Sequence, residues 1–594
     1  MSHMLDPPAL DIITRVSRHS SSFHRESFNH EPSPCYENGT TPGIHSHAAL
    51  NARKAGVDDT DCAVLEAAKP TAVPIDPIPL TDPRWAGLVV HSIAIGVVST
   101  VLPLSVYPFL TVYLNMEGTQ TLSARMLLAV PWVFRPFFRI FMDCVPLLYG
   151  RHHRPIMMMG WLLTSLSLGA IYFIDIPDPY FGDATLTGMP QANLTAQQLA
   201  TLNLDAPSHG AVYVMLMTVA TLGYVVADVA ADALIDETAR QYFPPDDQES
   251  PFVPRVTMQR YIAMLFTFLF MGFGMSGVQY GGDFDFSLSY NEVMLIAAIM
   301  ASLPIPFAWL MIEEAPRTVR QSFVACFRQI WELFQSRTVA YVIACRFFSG
   351  VFSGISATPV NPMAIYWAGV QPLNDNVVSF VATGAVIGFI VLAEKKGWTI
   401  NYRLTIIGAT VVIVFLDCGA TMFTIWNVVR SQWFWIGLPV MEALPSALDY
   451  VILTVILGEI AEPGTEELMR SLVTAVSFLA TPFGLTLTKY IDALFDVTNE
   501  DLARDTTHVR SHATAVFLIA YACQLVSLAW LFALPRHGDE AREWKRNSSS
   551  SPRAGALLIA VLVLSLMWSI AVHVLSVIES TSCLSIAGGK GCNN

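Results

Sequence analysis

Apolar runs about as long as a bilayer is thick recur along most of this chain, at roughly 85–113, 122–142, 155–174, 211–232, 256–278, 291–312, 338–368, 376–393, 404–427, 433–457, 470–491, 512–534 and 554–577. A helix needs about 20 such residues to cross the hydrocarbon. Lipid offers the backbone no hydrogen-bond partners, so each run is expected to satisfy its own peptide groups as an α-helix. With 53% hydrophobic and only 14% charged residues, the chain has too little polar surface for an ordinary soluble domain. The expected fold class is therefore an all-α integral membrane protein with about thirteen spans.

Residues 1–84 have a different composition, rich in Ser, His, Pro, Asp and Glu, and are expected to form a disordered tail. No short apolar core behind a basic start marks a cleaved signal, so the tail is expected to remain cytosolic. The Lys and Arg residues agree with that orientation. Arg151, Arg154, Arg317, Arg320, Arg328, Arg337, Lys395, Lys396, Arg403 and the basic stretch 535–553 fall on one side, while loops 175–210, 279–290 and 369–375 contain neither residue type.

The spans divide six and six about a polar connector, 313–337, in which Phe323, Phe327, Ile330, Trp331 and Phe334 recur at helical spacing. The expected layout is an N-terminal six-helix half (85–312), the connector, and a C-terminal six-helix half (338–534). A cytosolic basic linker (535–553), an extra span (554–577) and a short external tail (578–594) follow. Two such halves correspond to a major facilitator-type bundle, which rocks around a central site. His573, in the extra span, is expected to hydrogen-bond between helices.

Intramembrane charge gives the first functional indication. Asp228, Asp232 and Asp236 recur every fourth residue at the end of one run, so a helix stacks them on one face. Carboxylates at such depth usually face a bundle interior or a solute path, and Asp228 and Asp232 are candidate proton-coupling groups. Solvation at the cytosolic interface is the structural alternative. In the seventh span Arg346 precedes Gly350 and Gly354. Its guanidinium suits either a substrate carboxylate or a bridge to Asp449 or Glu442, and snorkelling is a third possibility. Pro359 and Pro362 are expected to interrupt that helix and free backbone groups. Tyr366, Trp367, Trp426 and Trp435 suit either a planar ring or the membrane interface.

The stretch VPWVFRPFFRIFMDCVPLLYGRHHRP resembles the second span and following loop of the folate/biopterin transporter family. Pro131, Trp132, Arg135, Pro136, Asp143, Pro146, Arg151, Arg154 and Pro155 carry the resemblance; Tyr149-Gly150 inverts the expected order, and His152 and His153 replace two basic positions. Asp228 to Leu234 with Glu237, Ala239 and Arg240 resembles the family's fourth span. Ala357-Thr358-Pro359 with Tyr366 resembles the seventh, and Glu462 to Glu467 with Ser477 the tenth-to-eleventh junction. Gln259 matches the start of the fifth-span pattern; Arg260 lies out of register and the later Trp and Arg are missing.

The resemblance implies secondary transport of a folate- or pterin-like or related anionic organic solute, coupled to protons, across a plasma or organelle membrane. Candidate substrate-binding or coupling residues are Asp228, Asp232, Gln259, Arg260, Arg346 and Asp449. Asp143 with Arg151 or Arg154 is a candidate conformational latch, the alternative being that the arginines only set topology. A changed small-molecule substrate and a non-transporting sensor or scaffold remain the competing readings.

No catalytic motif of the GxSxG, HExxH or phosphate-loop type occurs, so the chain is not expected to be an enzyme or an ATP-driven pump. No cofactor, metal or nucleic-acid partner is expected, because no Cys/His metal spacing or basic stripe is present. Asn193-Leu194-Thr195 is a glycosylation sequon in an external loop, and Cys583 and Cys592 are placed to pair. Single cysteines introduced in 175–210 should react with an impermeant thiol reagent added from outside intact cells, and those in 313–337 should not; the reverse pattern would invert the topology.

Overall fold

The computed structural model describes residues 85–145, 153–183, 186, 187, 189, 193–242, 252–312, 314, 322–396, 401–462 and 466–592. The expected tail 1–84 and Arg151, Arg317 and Arg320 lie outside the described residues, as do the side chains of Asp236, Arg240, Glu442, Lys395 and Lys396. Among the described residues no β-strand occurs.

The N-terminal half comprises α1 (Ala86–Ser105, continued by a π-helical Val106–Tyr113), α2 (Gly118–Val133 and Arg135–Cys144), α3 (His153–Tyr172), α4 (Gly210–Tyr242), α5 (Phe252–Gly274) and α6 (Tyr290–Ser302 and Pro304–Met311). The C-terminal half comprises α7 (Arg337–Gly354 and Val360–Tyr366), α8 (Pro372–Lys396), α9 (Tyr402–Ile425), α10 (Gln432–Ile460), α11 (Glu466–Asp492) and α12 (Thr507–Ser527). The extra helix, α13, spans Pro552–Val577. Taken singly, 8 helical stretches among the described residues are long and apolar enough to cross a membrane. The chain is an all-α, major facilitator-type bundle.

Departures from regular helix follow the prolines. Pro108 cannot donate a peptide hydrogen bond, and the end of α1 winds wider around it. That turn stacks Phe109 on Tyr290 at 3.7 Å and sets it edge-on to Tyr213 at 5.1 Å. The single second span expected at 122–142 is two segments, because Phe134 takes φ −86° and ψ 0° just before Arg135-Pro136. In α7 the break expected at Pro359 runs from Ile355 to Pro359. Its exposed backbone is capped by α11: Ser356 N donates to Thr488 Oγ1 at 2.9 Å, and Thr358 N to an Asp492 carboxylate oxygen at 2.7 Å.

Small residues allow the closest helix contacts. A β-carbon on Gly160 of α3 would stand 2.5 Å from the Gly223 carbonyl of α4, and one on Gly484 of α11 would stand 2.5 Å from the Val351 carbonyl of α7. The two halves meet along α2–α11 and α5–α8. The α13 helix lies over the first seam, against α2, α11 and the connector helix Phe323–Gln335. His573 is an interhelical hydrogen-bonder, with Nδ1 3.1 Å from Lys489 Nζ and Nε2 3.0 Å from the Pro482 carbonyl; Lys489 also donates to Ser123 of α2. In the connector helix the buried stripe is Cys326, Ile330 and Phe334, whereas Phe323 and Phe327 are exposed.

Replacing Gly160 by Val should force α3 from α4 and destabilise the bundle by about 1–3 kcal/mol. A fall in thermal unfolding temperature in detergent checks this, and an unchanged temperature would contradict so tight a contact.

Candidate functional site

A cavity of about 470 Å³ lies between the halves, within the range of roughly 300–1,000 Å³ usual for small-molecule sites. Arg125 of α2 and Tyr224 of α4 reach it from the N-terminal half; Arg346 of α7, Asp375 of α8 and Asp449 of α10 reach it from the other. Arg346 Nη1 stands 2.7 Å from Asp449 Oδ2, and its Nε donates to Ser477 Oγ at 3.4 Å. The structure thus forms the Arg346–Asp449 bridge, with both side chains still partly accessible from the cavity. Trp435 forms part of the wall, while Trp426 is exposed elsewhere. Gln259 is not among the cavity-lining residues; it lines a shallow apolar groove with Ile93, Ile262 and Phe266.

A second polar centre is buried inside the N-terminal half. Asp228 is fully buried and Asp232 nearly so, which rules out the solvated-interface alternative. Arg135, placed by the break in α2, bridges both: Nη1 is 3.4 Å from Asp228 Oδ2 and Nη2 is 2.6 Å from Asp232 Oδ2. Arg260 of α5 pairs with the other oxygen of Asp228, and His91 Nε2 of α1 lies 3.6 Å from it. Trp161 Nε1 donates to His91 Nδ1 at 2.9 Å, which fixes that ring. Two carboxylates against two guanidiniums balance in charge, as burial at this depth requires. Arg135 also stacks 5.0 Å from the Trp132 ring, which touches Tyr224 of the cavity wall at 6.1 Å between centroids.

One end of the cavity is closed by contacts between the halves. Tyr107 donates to the Val370 carbonyl at 2.9 Å, Tyr366 to Asn115 Oδ1 at 3.1 Å, and Asn499 N to Glu117 Oε2 at 3.1 Å. Burial pushes the Glu117 carboxyl up to about 7, despite the Asn499 amide, and Asp501 and Glu500 add to the rise. A raised carboxyl favours its neutral form in place, so its contribution to this seal falls as pH rises from the usual glutamate range to about 7. Toward the other end the lining continues to Ile406 and Leu534.

Of the latch residues, Arg151 lies outside the described residues. Asp143 contacts Arg139 Nε at 3.3 Å and His153 Nε2 at 4.0 Å. Arg154 binds the end of α6: its backbone N–H and that of His153 each donate to Glu314 at 2.9 Å, and its Nη1 donates to the Ile312 carbonyl at 3.0 Å. The carboxylate of Glu314 caps the positive N-terminus of α3, and Arg154 follows it there. Asn193 is exposed, and Cys583 and Cys592 form a disulfide. Sequence reading passed over Arg125, Asp375, Glu117 and Lys489; Arg125, alone in an apolar run, carried a readable signal.

No protein-family model and no curated protein sequence matches the chain. Among solved structures it is similar to a point mutant of the nucleoside transporter NupG, with 11% sequence identity, TM-score 0.50, and coverage of 76% of this chain and 100% of that one. It is also similar to a D-xylose-proton symporter, with 13% identity, TM-score 0.50, and coverage of 76% and 97% respectively. These likenesses establish the major facilitator-type fold.

Truncating Arg346 to Ala should leave Asp449 uncompensated and lower the unfolding temperature, and Asp449→Asn in the same chain should restore much of the loss. Additive losses in the double variant would show that the two side chains do not act as a pair.

Proposed function

We propose that the protein is a secondary active transporter that moves a folate- or pterin-like or related anionic organic solute by alternating access, with protons as the coupling ion. The carrying observation is the cavity between two six-helix halves, closed at one end by contacts between the halves and lined by charged side chains from both. The fold neighbours, a nucleoside transporter and a xylose–proton symporter, support transport of a small solute. Arg125 and Arg346 are the guanidiniums at the cavity, with Asp449 paired to Arg346 and Asp375 also in the lining, so an anionic group would compete with Asp449 for Arg346; Tyr224, Phe268 and Trp435 supply ring-stacking surface. The folate/biopterin motif at Pro131 to Pro136 supports the family reading, since it coincides with the α2 break that places Arg135.

Coupling is assigned to Asp228 with Asp232. Protonating either while both arginines remain would leave excess positive charge in a buried site, so proton entry must accompany movement of Arg135 or Arg260. A shift of α2 or α5 as the halves rock supplies such a movement. The altered fifth span favours a changed substrate as the second reading, because Arg260 is held by Asp228 inside the half. The protein is placed in a plasma or organelle membrane with its N-terminus cytosolic and Asn193 glycosylated outside.

Purified protein in vesicles should accumulate a folate or pterin when the outside is made acidic. Asp228→Asn should abolish that pH-driven uptake while solute exchange persists. Saturable binding without flux in the wild type would favour the sensor, and unchanged proton-driven flux in the variant would remove Asp228 from coupling.

A further inference from the structure

A second cluster, remote from the cavity, forms where α11 ends, α12 begins and the tail beyond α13 folds back. Asp496 lies just past α11, and His508 and His512 occupy one face of the first turns of α12. One donor atom from each of the three side chains lies within 4.8 Å of the others, and the two imidazole centroids are 4.1 Å apart. His512 Nδ1 accepts the Asp496 backbone N–H at 2.9 Å and lies 3.7 Å from Asp496 Oδ2. Lys590 Nζ stands 2.6 Å from the other oxygen, Oδ1.

The histidine pair is not needed to start the helix, because Thr506 caps α12 by accepting from Val509 N. Stacking two imidazoles at an exposed surface adds little, and charging either one works against the other. Lys590 pairs with Oδ1 of Asp496, and Oδ2 is the oxygen turned toward the imidazoles. Two imidazole nitrogens and one carboxylate oxygen suit Zn²⁺, which takes such ligands at about 2.0–2.2 Å. Ca²⁺ and Mg²⁺ require more oxygen ligands than this cluster offers. Donor atoms within 4.8 Å stand wider than tetrahedral spacing, so binding requires the side chains to rotate inward and His512 either to release the Asp496 N–H from Nδ1 or to ligate through Nε2.

We propose that Asp496, His508 and His512 form a Zn²⁺ site with three protein ligands and a fourth position open to water. The loop carrying Asp496 also takes part in the seal: Asn499 N–H donates to Glu117, and the Leu502 carbonyl accepts from Trp367 Nε1 at 2.9 Å. Zinc joining Asp496 to α12 stiffens that loop and favours the closed seal. This consequence rests on the transport reading; the binding site does not.

The test is calorimetric titration of ZnCl₂ into the full-length protein in detergent, without an affinity tag. The wild type should bind one Zn²⁺ that His508→Ala and His512→Ala each weaken by at least about tenfold. The remaining histidines are common to all variants and set the background. His508→Gln keeps a polar side chain and should lose the site equally, while both His508 variants keep the wild-type unfolding temperature in EDTA. Excess Ca²⁺ or Mg²⁺ should not compete. Absence of a wild-type site, or equal binding by the His508→Ala/His512→Ala double variant, would overturn the proposal. In vesicles, Zn²⁺ should slow wild-type flux and leave the double variant's flux unchanged; binding without this difference would remove the link to the seal and retain the site.

Discussion

Lipid supplies no hydrogen-bond partners, and this requirement governs the arrangement of the whole bundle. At several interruptions and buried charges among the described residues, a neighbouring helix supplies the missing partner. The break in α7 exposes backbone N–H groups, and Thr488 and Asp492 of α11 accept them. The break in α2 brings Arg135 to two carboxylates of α4. Lys489, buried on α11, is satisfied jointly by α2 and α13. Each irregularity ties two or three helices together, so the polar groups fix which faces meet while apolar packing supplies the bulk of the contact.

The same requirement separates the molecule into parts with different tasks. Inside the N-terminal half, the Asp228–Asp232–Arg135–Arg260 cluster is buried and balanced in charge. Between the halves, Arg125, Asp375 and the Arg346–Asp449 pair line open volume. Trp132 and Tyr224 lie between the two centres and give a physical path by which displacement at one is felt at the other. The α13 helix covers the α2–α11 seam and, through His573, attaches itself to the line along which the halves meet.

The all-α membrane class was legible because a 20-residue apolar run in lipid has one way to satisfy its backbone. The stacking of Asp228 over Asp232 was legible from their spacing. Their partners were not, because Arg135 and Arg260 come from other helices and meet them only on packing. Glu314 is a similar case: 160 residues after Arg154, it caps α3 by accepting the His153 and Arg154 backbone N–H groups. Glu117 and Asn499 likewise make one contact from opposite halves, with nothing local to announce it.

Local sequence thus determined which segments are helical and which residues, such as Asp228 and Asp232, share a helix face. The tertiary structure alone decided which charge neutralises which. That choice depends on helix rotation and on which helices are neighbours, and these are set by small-residue contacts such as Gly160 on Gly223 and Gly354 beside Gly484. A pairing between residues about a hundred positions apart, such as Arg135 with Asp232 or Arg346 with Asp449, leaves no periodicity in the sequence, because its geometry exists only once the helices have packed.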